Sequence, residues 1–362
     1  MKALVLFGTR PEAIKLAPIL RELAASPSVR PVVCVSGQHR TLLDQVLSAF
    51  SISPRHDLDV MTEDQSPLDV MRAILERIEP VLVAEEPDLV LVQGDAETAV
   101  AGALAAYYAR IPVAHVEAGL RTGDRYAPFP EEMNRRLVDA IACLHFAPTE
   151  EARGRLLGEG VAAEGIFVTG NTEIDALVYV RDQIAPPVPF SFPGRLVLVT
   201  AHRRESLEGG IARICLGLRR LAERTDVTIV YPVHPNPHVR SVVEAELLGV
   251  PRIVLLGPLD YVSFVHLMAQ STLILTDSGG VQEAGAALHI PLLVLRDKTE
   301  RVEGLASGAA RLVGTDPERI ASEVGHLLDD RVAYEEMKRA RNPYGDGKAA
   351  ERIRAILEGW TP

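Results

Sequence analysis

The segment LVLVQGDAETAVAG, residues 89–102, joins an uninterrupted aliphatic run to a turn and a run of small residues. A continuous apolar run, as opposed to an alternating one, predicts a strand of a parallel sheet that is covered on both faces. Asp95 then falls just past the carboxyl end of that strand, the edge at which open parallel sheets bind their ligands. An acidic residue in this position is a candidate functional residue.

Similar aliphatic runs recur along the chain, and the segments between most of them have helical apolar spacing. The proline-rich segment APPVPFSFPG, residues 185–194, predicts a linker or the entry to a new domain. The pattern restarts after it, so the sequence predicts two α/β halves, which would enclose a cleft. The predicted strands are residues 3–7, 32–36, 89–93, 113–117, 144–148, 196–200, 227–233, 252–257, 272–277 and 291–296.

Composition narrows the class of protein. A chain of 362 residues is long enough for about two domains. The formal net charge of −11, without a long block of Lys or Arg, argues against nucleic acid or an anionic membrane as the main partner. Cys34, Cys143 and Cys215 lack the spacing of a disulfide framework or a zinc site. The first apolar run is too short for a signal peptide or a membrane span, so we expect a cytoplasmic protein.

The first predicted strand leads into FGTRPEAIKLAP, residues 7–18. Pro11 and Glu12 are typical of the first turn of a helix, and helix N-termini attract anions. Gly8 and Arg10 therefore predict a contact with a phosphate or a charged substrate, although a capped turn with a solvated arginine fits equally well. Walker-type NTPases and dinucleotide dehydrogenases are disfavoured, because the chain has neither GxxxxGK[ST] nor GxGxxG.

Acidic residues follow two further strands of the first half. Asp95 and Glu117 come at predicted strand ends, and APFPEEMNRR, residues 127–136, adds Glu131 at a predicted helix start. Glu131 and Arg135 are four residues apart and would lie on the same face of a helix. The alternative to a functional role is that they form an ion pair on the surface. Three carboxylates in one place suit proton transfer, since their mutual repulsion raises one pKa towards neutrality.

The second half carries candidate anion-binding residues at its strand ends. A histidine followed by two arginines suits proton exchange and phosphate binding, and a Ser-Gly-Gly turn before a helix leaves N–H groups free for phosphate. The alternatives are that the histidines only stabilise their loops and that the Ser-Gly-Gly turn only allows close packing. Acids in one half and anion-binding groups in the other fit a phosphorylated or nucleotide-linked substrate. These candidates are His202, Arg203, Arg204, His234, Ser278, Gly279, Gly280, Arg296, Lys298 and Arg301.

The sequence resembles the UDP-N-acetylglucosamine 2-epimerases, most closely the non-hydrolysing bacterial type. The motifs that carry the resemblance run in family order from residue 7 to residue 349. They are FGTRPEAIKLAP (7–18), GQHRTLLDQVL (37–47), HVEAGLRTGD (115–124), PEEMNRR (130–136), TGNTEIDAL (169–177), HRRES (202–206), TDSGGVQEA (276–284), TERVEG (299–304) and NPYGDGKA (342–349).

The resemblance implies two Rossmann-like domains of the glycosyltransferase-B type that face each other across a cleft. The first would comprise residues 1–168 and the C-terminal helix 349–362, and the second residues 169–348. It also implies that UDP-GlcNAc and UDP-ManNAc interconvert by elimination of UDP to 2-acetamidoglucal and re-addition of UDP. This scheme requires no cofactor and no metal. A homodimer and a second UDP-GlcNAc molecule that acts as an activator are further implications.

Individual residues receive roles from the resemblance by position. The implied catalytic residues are Asp95, Glu117, Glu131, Arg135 and His202. The implied substrate and UDP contacts are Arg10, Lys15, Phe264, Ser278, Gly279, Gly280, Glu283 and Arg301. The implied activator contacts are Gln38, His39, Arg40, Gln65 and His234.

Two positions depart from the family pattern. The family commonly reads GDTTT after its third strand, whereas this chain has Glu97 two residues after Asp95. Glu97 either alters local pKa values or faces solvent in the first turn of a helix. The family usually has a second glutamate after the glutamine of SGGVQE, and this chain has Ala284 there. Either Glu283 takes over the contact with the ribose hydroxyls or that contact is weaker.

Three other functions are alternatives to the non-hydrolysing epimerase. The hydrolysing epimerase, which releases UDP and N-acetylmannosamine, shares most of these motifs. A glycosyltransferase could have the same two-domain fold, because a fold does not define a function. A non-catalytic sensor of sugar nucleotides would need only the binding residues, whereas this chain also has all four of the residues Asp95, Glu117, Glu131 and His202.

Overall fold

The structure, a computed structural model, describes residues 1–38, 40–62, 64–202 and 209–361. They form two compact units: an N-terminal unit of Met1–Ala176 with Gly345–Pro362, and a C-terminal unit of Leu177–Tyr344. Each unit contains one sheet in which all of the pairings between described strands are parallel. The prediction of an α/β protein with two parallel sheets is therefore confirmed.

The described strands of the N-terminal unit form a seven-stranded sheet in the order β3-β2-β1-β4-β5-β6-β7. Its central strands are apolar and buried, as expected for a sheet that helices cover on both faces. The strands are β1 (Lys2–Phe7), β2 (Arg30–Val35), β3 (His56–Asp57), β4 (Leu89–Gln93), β5 (Val113–Val116), β6 (Leu144–Ala147) and β7 (Ile166–Val168).

The described strands of the C-terminal unit form a six-stranded sheet in the order β10-β9-β8-β11-β12-β13. A separate apolar core lies on this sheet. The strands are β8 (Arg195–Thr200), β9 (Val227–Pro232), β10 (Ile253–Leu256), β11 (Leu273–Thr276), β12 (Leu292–Val294) and β13 (Ala310–Leu312).

Helices connect most of the strands, as right-handed crossovers in parallel sheets require. The helices are α1 (Arg10–Ala24), α2 (Arg40–Ala49), α3 (Pro67–Glu85), α4 (Glu97–Tyr108), α5 (Glu131–Ile141), α6 (Glu150–Gly158), α7 (Thr172–Gln183), α8 (Gly210–Leu221), α9 (Pro237–Leu247), α10 (Tyr261–Ala269), α11 (Gly279–Ala287), α12 (Val302–Ala306), α13 (Pro317–Asp329), α14 (Arg331–Lys338) and α15 (Ala349–Gly359).

The ten predicted strands correspond to strands of the structure, with ends that differ by a few residues. Strand β5 ends at Val116, which leaves Glu117 in the loop beyond it. The sequence did not predict β3, β7 or β13, because His56–Asp57 contains only polar residues and Ile166–Val168 and Ala310–Leu312 have only three residues each. Short edge strands carry too little apolar pattern to be recognised.

Each sheet has a point at which its strand order reverses. In the N-terminal unit β1 pairs with β2 on one side and with β4 on the other, so Gly8 and Asp95 follow adjacent strands. In the C-terminal unit β8 pairs with both β9 and β11, so His202 and Asp277 follow adjacent strands. Ligands of doubly wound sheets bind at such points, and the predicted residues Gly8, Asp95 and His202 follow the strands that form them.

The C-terminal helix α15 packs against α1 in the N-terminal unit. Asp175 Oδ1 accepts a hydrogen bond of 2.8 Å from the backbone N–H of Ala350 at the start of α15. Arg354 Nη1 forms an ion pair with Glu22 Oε2 at 3.0 Å further along the helix. In the described part of the chain, no helix has both the length and the apolar character needed to cross a membrane.

Candidate active site

Asp95 lies in the loop after β4, half-buried, and its carboxylate contacts the guanidinium of Arg135 on α5. Burial raises the pKa of the Asp95 carboxyl above its ordinary value, and the charge of Arg135 opposes this effect. The negative charges of Glu117 and Glu131 raise the pKa of Asp95 further, while Lys15 lowers it. The predicted acids are therefore close enough to influence one another.

Glu117 is held by a cation and an amide. Lys15 Nζ on α1 is 2.5 Å from Glu117 Oε2, and Gln93 Nε2 donates a hydrogen bond of 2.9 Å to the same oxygen. Lys15 also lies 3.8 Å from Glu173 Oε2. The backbone of Glu117 has a φ of 68°, in the left-handed region that costs a non-glycine residue about 1 kcal/mol or more. Such strain is typical of functional sites.

Glu131 is the first residue of α5 and is half-buried. Its Oε2 atom is buried and has no hydrogen-bond partner among the described residues. Arg135 does not form the expected i, i+4 ion pair with Glu131. Its guanidinium contacts Asp95 instead and lies 3.9 Å from Glu132 Oε2. The surface ion pair considered from the sequence is therefore wrong.

Glu12 is a fourth carboxyl group of this cluster, and the sequence analysis did not select it as functional. Its Oε2 accepts hydrogen bonds from the backbone N–H groups of Gly8, at 3.1 Å, and Thr9, at 2.8 Å. Burial raises the pKa of Glu12 to about 7, although these hydrogen bonds oppose the shift. The signal in the sequence was the capping-box spacing of Thr9 and Glu12.

The predicted anion loop before α1 is thus a capped turn in which Glu12 already accepts from two N–H groups. Arg10 is the first residue of α1 and is half-buried. The anion-binding interpretation of this loop therefore depends on the arginine side chain.

The structure places the predicted activator residues that it describes in separate segments of the chain, with His234 in the C-terminal unit. Gln38 Nε2 donates a hydrogen bond of 2.8 Å to Glu97 Oε2, and Gln38 Oε1 accepts one of 3.2 Å from Thr98 Oγ1. Gln65 bonds within its own loop, to Val60 O at 2.8 Å. Arg40 begins α2, and His39 lies outside the described residues. Glu97 is the half-buried first residue of α4, as the first-turn interpretation expected, and its carboxylate accepts this hydrogen bond from Gln38.

In the C-terminal unit, two predicted histidines stack on each other. The rings of His202 and His234 are 4.8 Å apart between centroids, with planes inclined by 11°. The backbone N–H of His202 donates to Asp277 Oδ2 at 2.7 Å, and its Nδ1 lies 3.6 Å from Oδ1. Desolvation lowers the pKa of His234 below its ordinary value, and the charge of His202 acts in the same direction. Arg203 and Arg204 lie outside the described residues.

The predicted phosphate turn is the start of α11, with Ser278 as its N-cap and Gly279 and Gly280 as its first residues. A Cβ atom on Gly279 would lie 3.2 Å from the guanidinium carbon of Arg301, so this arginine packs directly over the helix start. A positive side chain over a helix N-terminus strengthens its attraction for anions.

Glu283 and Phe264 are the other two predicted substrate contacts in this unit. Arg301 Nε donates a hydrogen bond of 2.7 Å to Glu283 Oε1, so Glu283 orients the arginine. Phe264 is half-buried on α10.

Within the described ranges, no group of three or more His, Cys, Asp or Glu side chains could hold a metal ion.

Two doubly wound parallel sheets with polar residues at their switch points define a two-domain Rossmann-like α/β protein. The model of the UDP-N-acetylglucosamine 2-epimerase family matches residues 21–358. The chain belongs to this family, which confirms the resemblance found in the sequence.

Individual relatives match over the full chain. The UDP-N-acetylglucosamine 2-epimerase of Escherichia coli K12 is 51% identical over 370 residues, 99% of this chain and 98% of the relative. The crystal structure of UDP-GlcNAc 2-epimerase from Neisseria meningitidis bound to UDP-GlcNAc is 42% identical, with a TM-score of 0.85 over 99% of this chain and 100% of that chain. The structure of the enzyme from Methanocaldococcus jannaschii is 34% identical, with a TM-score of 0.86 and the same coverage.

The raised pKa of Glu12 predicts how stability changes with pH. Between about pH 4.5 and 7 the folded protein keeps a proton on Glu12 that the unfolded chain releases, so the free energy of unfolding falls as the pH rises. For a shift from 4.5 to about 7 the loss is about 3 kcal/mol. Glu12→Gln removes this loss, which chemical denaturation at several pH values measures.

Glu22→Gln is the matched control, since Glu22 lies on the same helix in an ion pair with Arg354. The control should keep the pH dependence of the wild type. Parallel curves for Glu12→Gln and the wild type would contradict a buried, protonated Glu12.

Proposed function

We propose that this member of the family is a non-hydrolysing epimerase that reversibly interconverts UDP-GlcNAc and UDP-ManNAc. The observation that carries the proposal is the cluster of Asp95, Glu117 and Glu131, in which two cations offset part of the negative charge. A group that removes a proton from carbon must be a positioned base, and a group that returns it must be a positioned acid. Carboxyls with interacting charges can serve as both near neutral pH.

The proposed reaction has two balanced steps. In the first, a base takes the proton from C2 of the sugar, the C1–C2 double bond forms, and the C1–O bond breaks with its electron pair passing to UDP. In the second, a UDP oxygen bonds to C1 and an acid delivers a proton to the opposite face of C2. Two faces require two proton-transfer groups, or one group and a sugar that moves. Because the charges of Glu117 and Glu131 both act on Asp95, the proposal assigns the exchange to the cluster as a whole.

The departure of UDP is the other requirement, because elimination needs a stabilised leaving group. The start of α11 with Arg301 fits a diphosphate, since N–H groups and a guanidinium face the same place. We propose that this turn, together with His202, holds the nucleotide. The complex of the Neisseria meningitidis relative with UDP-GlcNAc supports a sugar nucleotide as the ligand. Glu283, through its bond to Arg301, would orient that arginine and not replace the missing ribose contact at Ala284.

The family resemblance further implies a cytoplasmic homodimer, and we propose this state for the chain. We also propose that the two functional domains are residues 1–168 with helix 349–362, and residues 169–348. No cofactor enters any step of the proposed reaction.

Incubation of the protein with UDP-GlcNAc in D₂O tests the reaction. We expect UDP-ManNAc with deuterium at C2, because the proton removed exchanges with solvent before the return step. Asp95→Asn should lower kcat by about 10²- to 10⁴-fold, the range for removal of an acid–base group, and leave UDP affinity within about twofold.

Asp88→Asn is the control, because Asp88 precedes the amino end of β4 and accepts from the backbone of Lys2. It should keep full activity. Free N-acetylmannosamine and UDP as products would identify the hydrolysing enzyme. Binding of UDP-GlcNAc without exchange at C2 would overturn both epimerase functions and favour a sensor or a glycosyltransferase.

We also propose that UDP-GlcNAc activates the reverse reaction through the segment that contains Gln38. Glu97 fixes Gln38 through their hydrogen bond, and Glu97 begins the helix that directly follows the Asp95 loop. This bond connects the proposed activator segment to the acid cluster, which gives the unusual carboxylate at position 97 a role.

Glu97→Ala should raise the UDP-GlcNAc concentration for half-maximal activation of UDP-ManNAc conversion by about fivefold, the value of one hydrogen bond of about 1 kcal/mol. Glu97→Gln keeps an oxygen that can accept from Gln38 and should retain most of the response. Initial rates measured against UDP-GlcNAc concentration give both values. An identical response in Glu97→Ala and the wild type would contradict the role of Glu97.

A further inference from the structure

His115 is a fully buried side chain in β5, two residues before Glu117. Its Nε2 lies 2.8 Å from the carbonyl oxygen of Gly94, and its Nδ1 lies 2.6 Å from Asp139 Oδ1. A carbonyl oxygen and a carboxylate oxygen only accept hydrogen bonds, so both ring nitrogens donate. The ring therefore bridges the Gly94 carbonyl and the Asp139 carboxylate.

One end of this pair holds the loop of Asp95. The Gly94 carbonyl that accepts from His115 belongs to the peptide that precedes Asp95. The carbonyl of Asp95 itself accepts a hydrogen bond of 2.8 Å from Asn134 Nδ2 on α5. The backbone on both sides of the Asp95 Cα is thus bound to side chains from neighbouring elements, which restricts where its carboxylate can point.

The other end of the pair holds the loop of Glu117 and the helix of Glu131. Asp139 lies on α5, and its Oδ2 accepts from the Gly119 N–H at 3.2 Å and from Arg121 Nη2 at 2.7 Å. Burial would raise the pKa of Asp139, and the charges of His115 and Arg121 outweigh it and hold the pKa at about 2. The carboxylate is therefore a permanent acceptor that joins the loop after β5 to α5.

We propose that His115 is a positioning residue for proton transfer: its pairing with Asp139 fixes the Asp95 loop, the Glu117 loop and α5 relative to one another. This proposal rests on the proposed function of the acid cluster. His115 touches none of the three carboxylates and acts through Gly94 and Asp139. Proton transfer depends steeply on geometry, and a misplacement of about 1 Å can lower a rate by about 100-fold.

A role in stability alone explains the pair less well. The other residues of β5 are Val113, Ala114 and Val116, all buried and apolar, as the interior of a parallel sheet favours. Replacement of a buried ion pair by apolar residues is often neutral or stabilising. We therefore assign this buried polar pair to the geometry of the site.

Two substitutions separate the two hydrogen bonds of His115. His115→Asn keeps a donor near Asp139 and loses the bond to the Gly94 carbonyl, whereas His115→Gln keeps a donor within reach of that carbonyl. We expect His115→Asn to lower kcat by roughly 10- to 100-fold with little change in KM, because the Asp95 loop is no longer fixed. On a logarithmic scale, the kcat of His115→Gln should lie at least about halfway from that of His115→Asn to that of the wild type.

His145→Asn is the matched control. His145 is also a buried strand histidine, and its ring bonds to the backbone carbonyls of Asp139, at 2.8 Å, and Gly165, at 3.4 Å, with no hydrogen bond to the described residues of the Asp95 and Glu117 loops. It should lower Tm and leave the kcat of the folded protein unchanged. The proposal is overturned if His115→Asn loses activity only in proportion to its unfolded fraction, or if its KM rises while kcat stays the same.

Crystal structures of His115→Asn and His145→Asn provide a test that does not depend on the reaction catalysed. The Asp95 carboxylate should move relative to Glu117 in the first variant and stay in place in the second. If the wild type shows no epimerisation but the Asp95 loop moves in His115→Asn alone, the proposed function fails and the positioning role stands. An Asp95 loop that does not move in His115→Asn overturns the positioning role.

Discussion

The contacts of Lys15 with Glu117 and of Arg135 with Asp95 are the interactions on which the N-terminal site depends. Acidic side chains at adjacent strand ends repel one another, and burial further disfavours their charged forms. Two cations, from α1 and α5, offset part of this cost and leave Glu131 with a buried oxygen that has no partner among the described residues. The helices α1 and α5, which cover the sheet, therefore also supply the positive charges that stabilise the cluster of acids.

Continuous aliphatic runs such as LVLVQ at 89–93 and LVLVT at 196–200 were sufficient to predict the two parallel sheets. They were sufficient because strands buried on both faces must be apolar throughout, and because ligand-binding residues must follow their carboxyl ends. The edge strands β3, β7 and β13 were not predictable, since short, partly exposed strands need no such pattern. Family membership followed from the order of the motifs and was confirmed by the family model.

Within the site, the sequence predicted the residue types but not their partners. The spacing of Glu131 and Arg135 predicted a pair on one helix, whereas the guanidinium reaches Asp95 across the loop after β4. Pairing across elements depends on the twist of the sheet and the docking of α5, which residue spacing does not encode. From the sequence, His115 was only one more residue of a predicted buried strand. The residues next to it in the sequence do not indicate that the carboxylate of Asp139 lies opposite it.

The central claim is that Asp95 belongs to a coupled group of acids, and a ¹³C NMR titration of its carboxyl carbon tests this most directly. The signal is assigned by its loss in Asp95→Asn. We expect a midpoint above the ordinary aspartate value of about 3.9, and this midpoint should fall when Glu117→Gln removes a neighbouring negative charge. A midpoint at the ordinary value that Glu117→Gln leaves unchanged would contradict it.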